Sequence, residues 1–288
     1  MDHPIVGLTL HYCNPALTDR CVRSMLADGV DAVLIWDNTG DGGESAKNVA
    51  VCQEQPDRVI LEISPTNLGF AAGVNRGVER ILARWPDAWI LLLNNDAIVI
   101  PGATAILCDA LANRPNAVLA FPRIDQGREQ FGLTYYHRFF GLFLAKPWPG
   151  CIVYPSGCAQ LIGPERIALP LYDEDFFMYG EDVMLGARLG LQRMAHVPEI
   201  LVRHVGNAGS GQGSGFYEER MVLAHWLLAR KLADSPLQSV LMRLLRIPSL
   251  ALRAALRSFR YRSWIPLRSL GQLFKRSSIR PMNQEARR

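Results

Sequence analysis

Asn94-Asn95-Asp96 follows the most apolar run of the chain, Trp89-Ile90-Leu91-Leu92-Leu93, so a carboxylate stands where a buried strand ends. Hard divalent cations in phosphate sites take few protein carboxylates and leave their other positions to substrate oxygens and water. Asp96, with Asn94 beside it, could supply such ligands. The same residues could equally close the strand as an Asx turn. Further along, the ten residues from Asp173 to Asp182 hold five acids around Phe176, Phe177, Met178 and Tyr179. An acid cluster meant only for solvent has no need of those apolar neighbours. Glu181 and Asp182 open a predicted helix, where one carboxylate can join a local hydrogen-bond network and the other can face a cleft as a general base. Two solvated acids at a helix N-terminus are the alternative. His204 ends a strand-like run, and its neutral ring suits either a cation or a structural hydrogen bond. Asn67-Leu68-Gly69-Phe70-Ala71-Ala72-Gly73 opens a helix directly after a strand. Its N–H groups and helix dipole could cradle a phosphate, or Gly69 and Gly73 could simply permit a tight turn and close packing.

The elements that must position these strings alternate. Predicted strands cover residues 5–10, 32–36, 59–63, 89–93 and 118–121, and predicted helices cover 17–27, 45–53, 71–85 and 103–112. This βαβα order with nearly continuous apolar strands implies a mostly parallel sheet covered on both faces. Binding in such sheets occurs beyond the carboxyl ends of the strands, which is where the polar strings fall. Residues 127–158 crowd aromatics, Gly and Pro, as in hairpins and loops over a site mouth. A second block follows, with strands at 160–162 and 200–204, a helix at 181–191, a Gly/Ser loop at 206–215 and a helix from the Ser214 cap to about residue 232.

At 288 residues, 49 % hydrophobic and 20 % charged, the chain is an enzyme-sized globule and not a disordered one. It holds no uncharged apolar run of membrane-spanning length. No secretory leader is visible after Met1-Asp2-His3-Pro4. Six cysteines, at 13, 21, 52, 108, 151 and 158, form no CxxC pair and read as free thiols of a reducing compartment, so a cytoplasmic location is expected. The net charge of +4 hides an asymmetry: from Leu237 onward twelve Lys or Arg face one acid, Glu285, leaving 19 basic and 26 acidic residues before it. The expected division is therefore a body at 1–235 and a basic tail at 236–288.

Taken in order, Thr9, Asp37-Asn38, Asn67-Leu68-Gly69-Phe70-Ala71-Ala72-Gly73-Val74-Asn75-Arg76-Gly77, Leu93-Asn94-Asn95-Asp96, Asp175-Phe176-Phe177-Met178-Tyr179-Gly180-Glu181-Asp182-Val183 and His204 resemble the family 2 inverting glycosyltransferases of the GT-A fold, closest to their bacterial rhamnosyltransferase-like branch. The resemblance spans about residues 4–207 and implies a Rossmann-like α/β domain with a mostly parallel central sheet and flanking helices. It implies that Thr9 and Asp37 contact the nucleotide, and that Asn67, Gly69, Phe70, Gly73 and Asn75, with Asn95, hold nucleotide and sugar. Asp96 takes the place of the metal-binding carboxylate, Mg²⁺ or Mn²⁺ being the implied ion. Asn94 stands where other members carry a first acid, and His204 matches the histidine of the metal and diphosphate site. Asp182 matches the catalytic base, with Glu181 beside it. Transfer of L-rhamnose from dTDP-rhamnose to a glycan or lipid-linked acceptor in bacterial surface polysaccharide synthesis is implied. A UDP-hexose donor, or a silent nucleotide-sugar-binding subunit, is the alternative.

On a helical wheel, Arg243, Arg246, Arg253, Arg257 and Arg260 of the tail share one arc, while Leu241, Leu244, Leu245, Leu252, Leu256 and Phe259 lie opposite. The expectation is a basic amphipathic helix, broken into two by Pro248, lying on an anionic membrane at the inner face of the cytoplasmic membrane. Packing on the body or on a second copy in a homo-oligomer is the alternative. Nothing in the tail resembles a base-reading motif, so no nucleic-acid partner is expected.

Overall fold

The computed structural model of the chain describes residues 3–127, 129–204, 211, 213–271 and 273. Four parallel strands form one half of the central sheet: β1 (Ile5–His11), β2 (Ala32–Asp37), β3 (Val59–Ile63) and β4 (Trp89–Leu93), in the order β3-β2-β1-β4. Between them run α1 (Pro15–Ala27), α2 (Val51–Glu54) and α3 (Phe70–Arg84). The chain continues through β5 (Ala97–Val99), α4 (Ala103–Ala112), β6 (Leu119–Asp125), β7 (Gln130–Phe131), β8 (Thr134–His137), β9 (Leu142–Leu144), β10 (Cys151–Tyr154) and β11 (Ala159–Ile162). It ends with α5 (Glu181–Leu189), β12 (Met194–His204), α6 (Gly215–Lys231), α7 (Pro236–Tyr261) and α8 (Ile265–Ser269). β11 joins β4 to β6 antiparallel, β12 lies parallel to β6, and β5 closes the far edge. The expected mostly parallel sheet with flanking helices is present, with antiparallel strands inserted in its second half.

Strand alternation divides the core. Ile5, Val33, Ile35, Leu91 and Leu93 face one side and pack with Cys21, Val22 and Met25 of α1 and Leu107 of α4. Val6, Leu8, Leu10, Leu34 and Leu92 face the other and pack with Val74, Val78 and Ile81 of α3. The second contact is close: a Cβ added at Gly77 would lie 2.4 Å from Leu8 Cδ1, so this helix can sit against β1 only with glycine there.

Three expectations change. The helix expected at 45–53 is a 3-10 turn at Ala46–Asn48 followed by the single turn of α2, because Val49 turns extended (ψ 100) to bury its side chain. Residues 127–158 do form hairpins, as the three-stranded antiparallel sheet β10-β8-β9. Phe131 lines the cleft as expected, while Tyr136 and Phe143 pack toward the C-terminal helices, the Tyr136 hydroxyl bonding His225 Nδ1 of α6 at 2.9 Å. The first part of the tail, Pro236–Tyr261, is one 26-residue helix that is not split at Pro248. The carbonyl that loses its donor there is that of Leu244, on the exposed side, where water can take its place. The expected boundary at 235 falls between α6 and α7, and α7 packs against the body.

Candidate active site

Beyond the carboxyl ends of β1, β2 and β4 opens a cleft of about 680 Å³ whose lining includes Asn38, Asn67, Phe70, Asp96, Asp182 and His204. Two loops meet at its floor. Gly69 has φ +81, and a Cβ there would lie 2.3 Å from the Phe177 carbonyl, so only glycine admits this approach. The Phe70 N–H then donates to Phe177 O at 2.6 Å, tying the long Asn67–Gly77 string to the acid-and-aromatic string. Asn38 staples the same turn from β2, its Oδ1 accepting from Leu68 N–H at 3.0 Å and its Nδ2 donating to Gly69 O at 2.9 Å.

This stapling alters the expected role of the turn. The N–H of Leu68 goes to Asn38, that of Gly69 to Asn67 Oδ1 at 2.9 Å and that of Phe70 to Phe177. These three backbone donors are therefore spent within the protein, which leaves the first-turn N–H groups of Ala71 and Ala72 as the ones a phosphate could meet. Asn67 and Phe70 line the cleft, while Gly69 and Gly73 do not. Asn75 is turned away as well: its amide donates to Tyr172 O at 2.9 Å and accepts from Tyr172 N–H at 2.9 Å, clamping α3 to the loop before α5.

Thr9 and Asp37 are fully buried and do not line the cleft. Their strand positions point them toward α1, where Thr9 Oγ1 meets Cys21 Sγ at 3.7 Å. Asp37 Oδ1 accepts the Thr39 N–H at 3.0 Å. Leu10, Tyr12 and Asn38, one position on, face the cleft in their place.

At the end of β4, Asn94, Asn95 and Asp96 all reach the cleft. The Asn94 N–H donates to Cys158 O at 2.9 Å and Asn95 Nδ2 to Thr18 Oγ1 at 3.1 Å, which holds the turn rigid. β5 follows at once and pairs with the end of β12, placing His204 opposite Ala97. His204 Nε2 thereby donates to Asp96 Oδ1 at 2.8 Å, and its Nδ1 is buried without a partner among the described residues. The ring nitrogen that faces the carboxylate is Nε2, so a divalent cation shared by Asp96 and His204 would take the place of this hydrogen bond, with its other ligands from substrate oxygens and water. Among the described residues no group of three or more His, Cys, Asp or Glu could hold a metal by itself.

α5 supplies the second set of groups. Gly180, at φ +94, turns the chain into the helix and leaves Glu181 and Asp182 in the first turn, both lining the cleft, Glu181 buried and Asp182 partly exposed to it. Asp182 accepts from the N–H of Val183 at 2.8 Å, with the N–H groups of Gly157 and Gly180 also directed at it. Burial outweighs these donors and raises Asp182 to about 6. Burial, with the Asp182 charge adjacent, raises Glu181 well above its usual value, and Glu181 Oε2 has no partner among the described residues. A proton retained on Glu181 leaves Asp182 as the ionised member of the pair near neutrality.

Tyr12, Gln126 and Tyr217 also line the cleft and were not singled out from the sequence, and Tyr179 of the acid-and-aromatic string joins them. For Tyr217 the available signal was its place in the first turn after the Ser214 cap. Of residues 206–215, most lie outside the described residues, while Gly211 and Ser214 line the cleft.

The family model for glycosyl transferase family 2 matches residues 11–162, more than half of the chain. The N-acetylglucosaminyl-diphospho-decaprenol L-rhamnosyltransferase of Mycobacterium tuberculosis is 27 % identical over 209 residues, which cover 60 % of this chain and 66 % of that relative. The fold is shared with GalNAc-T7 solved with UDP, GalNAc and Mn²⁺ (TM-score 0.58, 13 % identity, 80 % of this chain and 50 % of that one). It is shared too with the mannosyltransferase PcManGT of Pyrobaculum calidifontis solved with GDP-Man and Mn²⁺ (TM-score 0.53, 10 % identity, 94 % and 74 %). The architecture is that of the GT-A glycosyltransferases, and the chain belongs to glycosyl transferase family 2.

Proposed function

We propose that this chain is an inverting glycosyltransferase that moves a sugar, L-rhamnose from dTDP-rhamnose, onto a hydroxyl of a lipid-linked glycan in bacterial surface polysaccharide synthesis, working at the inner face of the cytoplasmic membrane. The observation that carries the reading is that a carboxylate pair, Glu181 and Asp182, lines the same cleft as the Asp96–His204 pair. The name of the mycobacterial relative supports rhamnose as the sugar and a lipid diphosphate as the acceptor anchor.

Asp182 takes the proton of the acceptor hydroxyl as that oxygen attacks the anomeric carbon, and the single displacement inverts the configuration. The backbone donors around Asp182 fix its orientation, and Glu181 keeps the neighbouring oxygen wall neutral. Phe70 and Met178 keep water from the reacting centre. Asp96 and His204, with Asn94 nearby, would hold a divalent cation, which when bound neutralises charge on a leaving nucleoside diphosphate. Asn67 offers its side-chain amide N–H groups to the donor on the other wall, where Asn38 holds the turn in place.

The deciding experiment is a thermal-shift and turnover panel of the purified protein with dTDP-, UDP- and GDP-sugars, with and without Mn²⁺ or Mg²⁺, repeated on Asp96→Ala. A stabilisation confined to dTDP compounds, enhanced by metal and lost in Asp96→Ala, is the expected result. A shift confined to UDP compounds would move the donor to a UDP-hexose, a reading favoured by the UDP bound to GalNAc-T7. No shift with any nucleotide sugar would overturn the assignment.

A further inference from the structure

Helix α7 turns the expected amphipathic arrangement inside out. Its arginine arc faces the body: Arg246 is completely buried and donates to the carbonyls of Arg138, Phe139 and His225. Arg253 and Arg257 grip the buried Glu218 of α6, at 3.1 and 2.7 Å. The opposite arc carries Leu237, Leu241, Leu244, Leu252, Leu256 and Phe259, between 49 % and 88 % exposed, with no charged side chain among them. Among the described residues no helix is long and apolar enough to cross a membrane, so this stripe is not part of a span.

We propose that the leucine face of α7 is a docking surface for an anionic lipid bilayer, with the helix lying along the boundary between headgroups and acyl chains. Three observations single out this occupant. The stripe, from Leu237 to Phe259, is a convex helix surface about 33 Å long at 1.5 Å per residue, suited to a planar interface and offering no groove to a peptide. Its end is rimmed by exposed cations, Arg260, Arg262 and Arg268, beside Trp264, which is 71 % exposed and of the type that settles at headgroup depth. The sequence from residue 274 on adds five more Lys or Arg against Glu285 alone, a charge that complements anionic headgroups. The surface also lies one helix layer from the cleft: Tyr217, part of the cleft wall, carries the guanidinium of Arg257 4.9 Å from its ring centre. A lipid-linked acceptor held in the bilayer would reach the cleft from that side.

The test is flotation of the full chain with phosphatidylcholine vesicles that contain phosphatidylglycerol and with vesicles of phosphatidylcholine alone, beside the triple variant Leu244→Glu, Leu252→Glu, Leu256→Glu. All three positions are exposed, so the variant should keep the wild-type unfolding midpoint, and flotation reads the surface without reference to catalysis. The expected result is binding to the anionic vesicles and a fall of at least about tenfold in affinity for the variant. Quenching of tryptophan fluorescence by lipids brominated in the acyl chain, abolished by Trp264→Phe, gives the same answer with the stripe intact. Equal flotation of wild type and triple variant would overturn the proposal, as would no flotation of either. A wild-type dimer that the triple variant dissociates, with no vesicle binding, would assign the stripe to a second copy of the chain and overturn it too.

Discussion

Two glutamates open two helices of this protein, and the molecule treats them in opposite ways. Glu181 begins α5 at the cleft, buried with Asp182 as its neighbour and, among the described residues, no cation against it. Glu218 lies in the first turn of α6, only 1 % exposed, with two guanidiniums closing on its oxygens. Both sites take a carboxylate out of water, which is unfavourable unless the charge is compensated. At Glu218 it is compensated, and the result is a lock between helices. At Glu181 and Asp182 compensation is withheld, and the result is a pair that holds a proton within the working pH range. Burial alone therefore does not mark a functional carboxylate; burial without a cation, facing a cleft, does.

Breaking each site separates the two roles. Asp182→Asn should lower the transfer rate by about a thousandfold, about 4 kcal/mol of barrier, while nucleotide binding followed by thermal shift stays near wild type. Retained turnover would remove Asp182 from the base role. Glu218→Gln should instead strip the charge partner from Arg253 and Arg257 and lower unfolding stability by about 3 kcal/mol, read by urea titration. Turnover per folded molecule should change little. Glu181→Gln should raise stability at pH 7 by about 1–2 kcal/mol, since it removes a group whose ionisation the fold opposes. The sign follows from the shift. A carboxyl raised on folding binds its proton more tightly in the native state, so wild-type stability falls as pH rises through its native value. The advantage of the variant should accordingly fade in acid. The smallest effect is in the rate profile: turnover should fall about tenfold per pH unit below about 6, where Asp182 takes up its proton, and Glu218→Gln should leave that limb in place.

How much of this was legible in the sequence depended on the kind of signal. Asn94-Asn95-Asp96, His204 and the Glu181-Asp182 pair were readable because each follows an element end marked by turn residues or by the close of an apolar run. Thr9 and Asp37 do not line the cleft, and their neighbours Leu10 and Asn38 do, because side chains alternate between the faces of a sheet and a string of residues does not by itself show its parity. Asn75 stands in a string rich in binding character, yet the backbone of Tyr172, 97 residues away, claims its amide. The N–H groups of Gly69 and Phe70 are engaged by Asn67 and Phe177, and local pattern cannot reveal which long-range acceptor an N–H will meet. For the tail, the wheel separated its two faces correctly, but which face turns inward depended on Glu218 and on the carbonyls around Arg246, none of them in the tail.

Arg246 carries a last consequence. Its guanidinium is satisfied by the carbonyls of Arg138 and Phe139, beside the small hairpin sheet, and of His225 in α6, so α7 is stitched to both. A chain ending near residue 235 would lose that cation, bare the apolar cluster under Met242 and strand Glu218 without counter-charge. Tail and body should melt in a single cooperative transition, and a shortened chain should report a damaged fold before it reports a missing appendage.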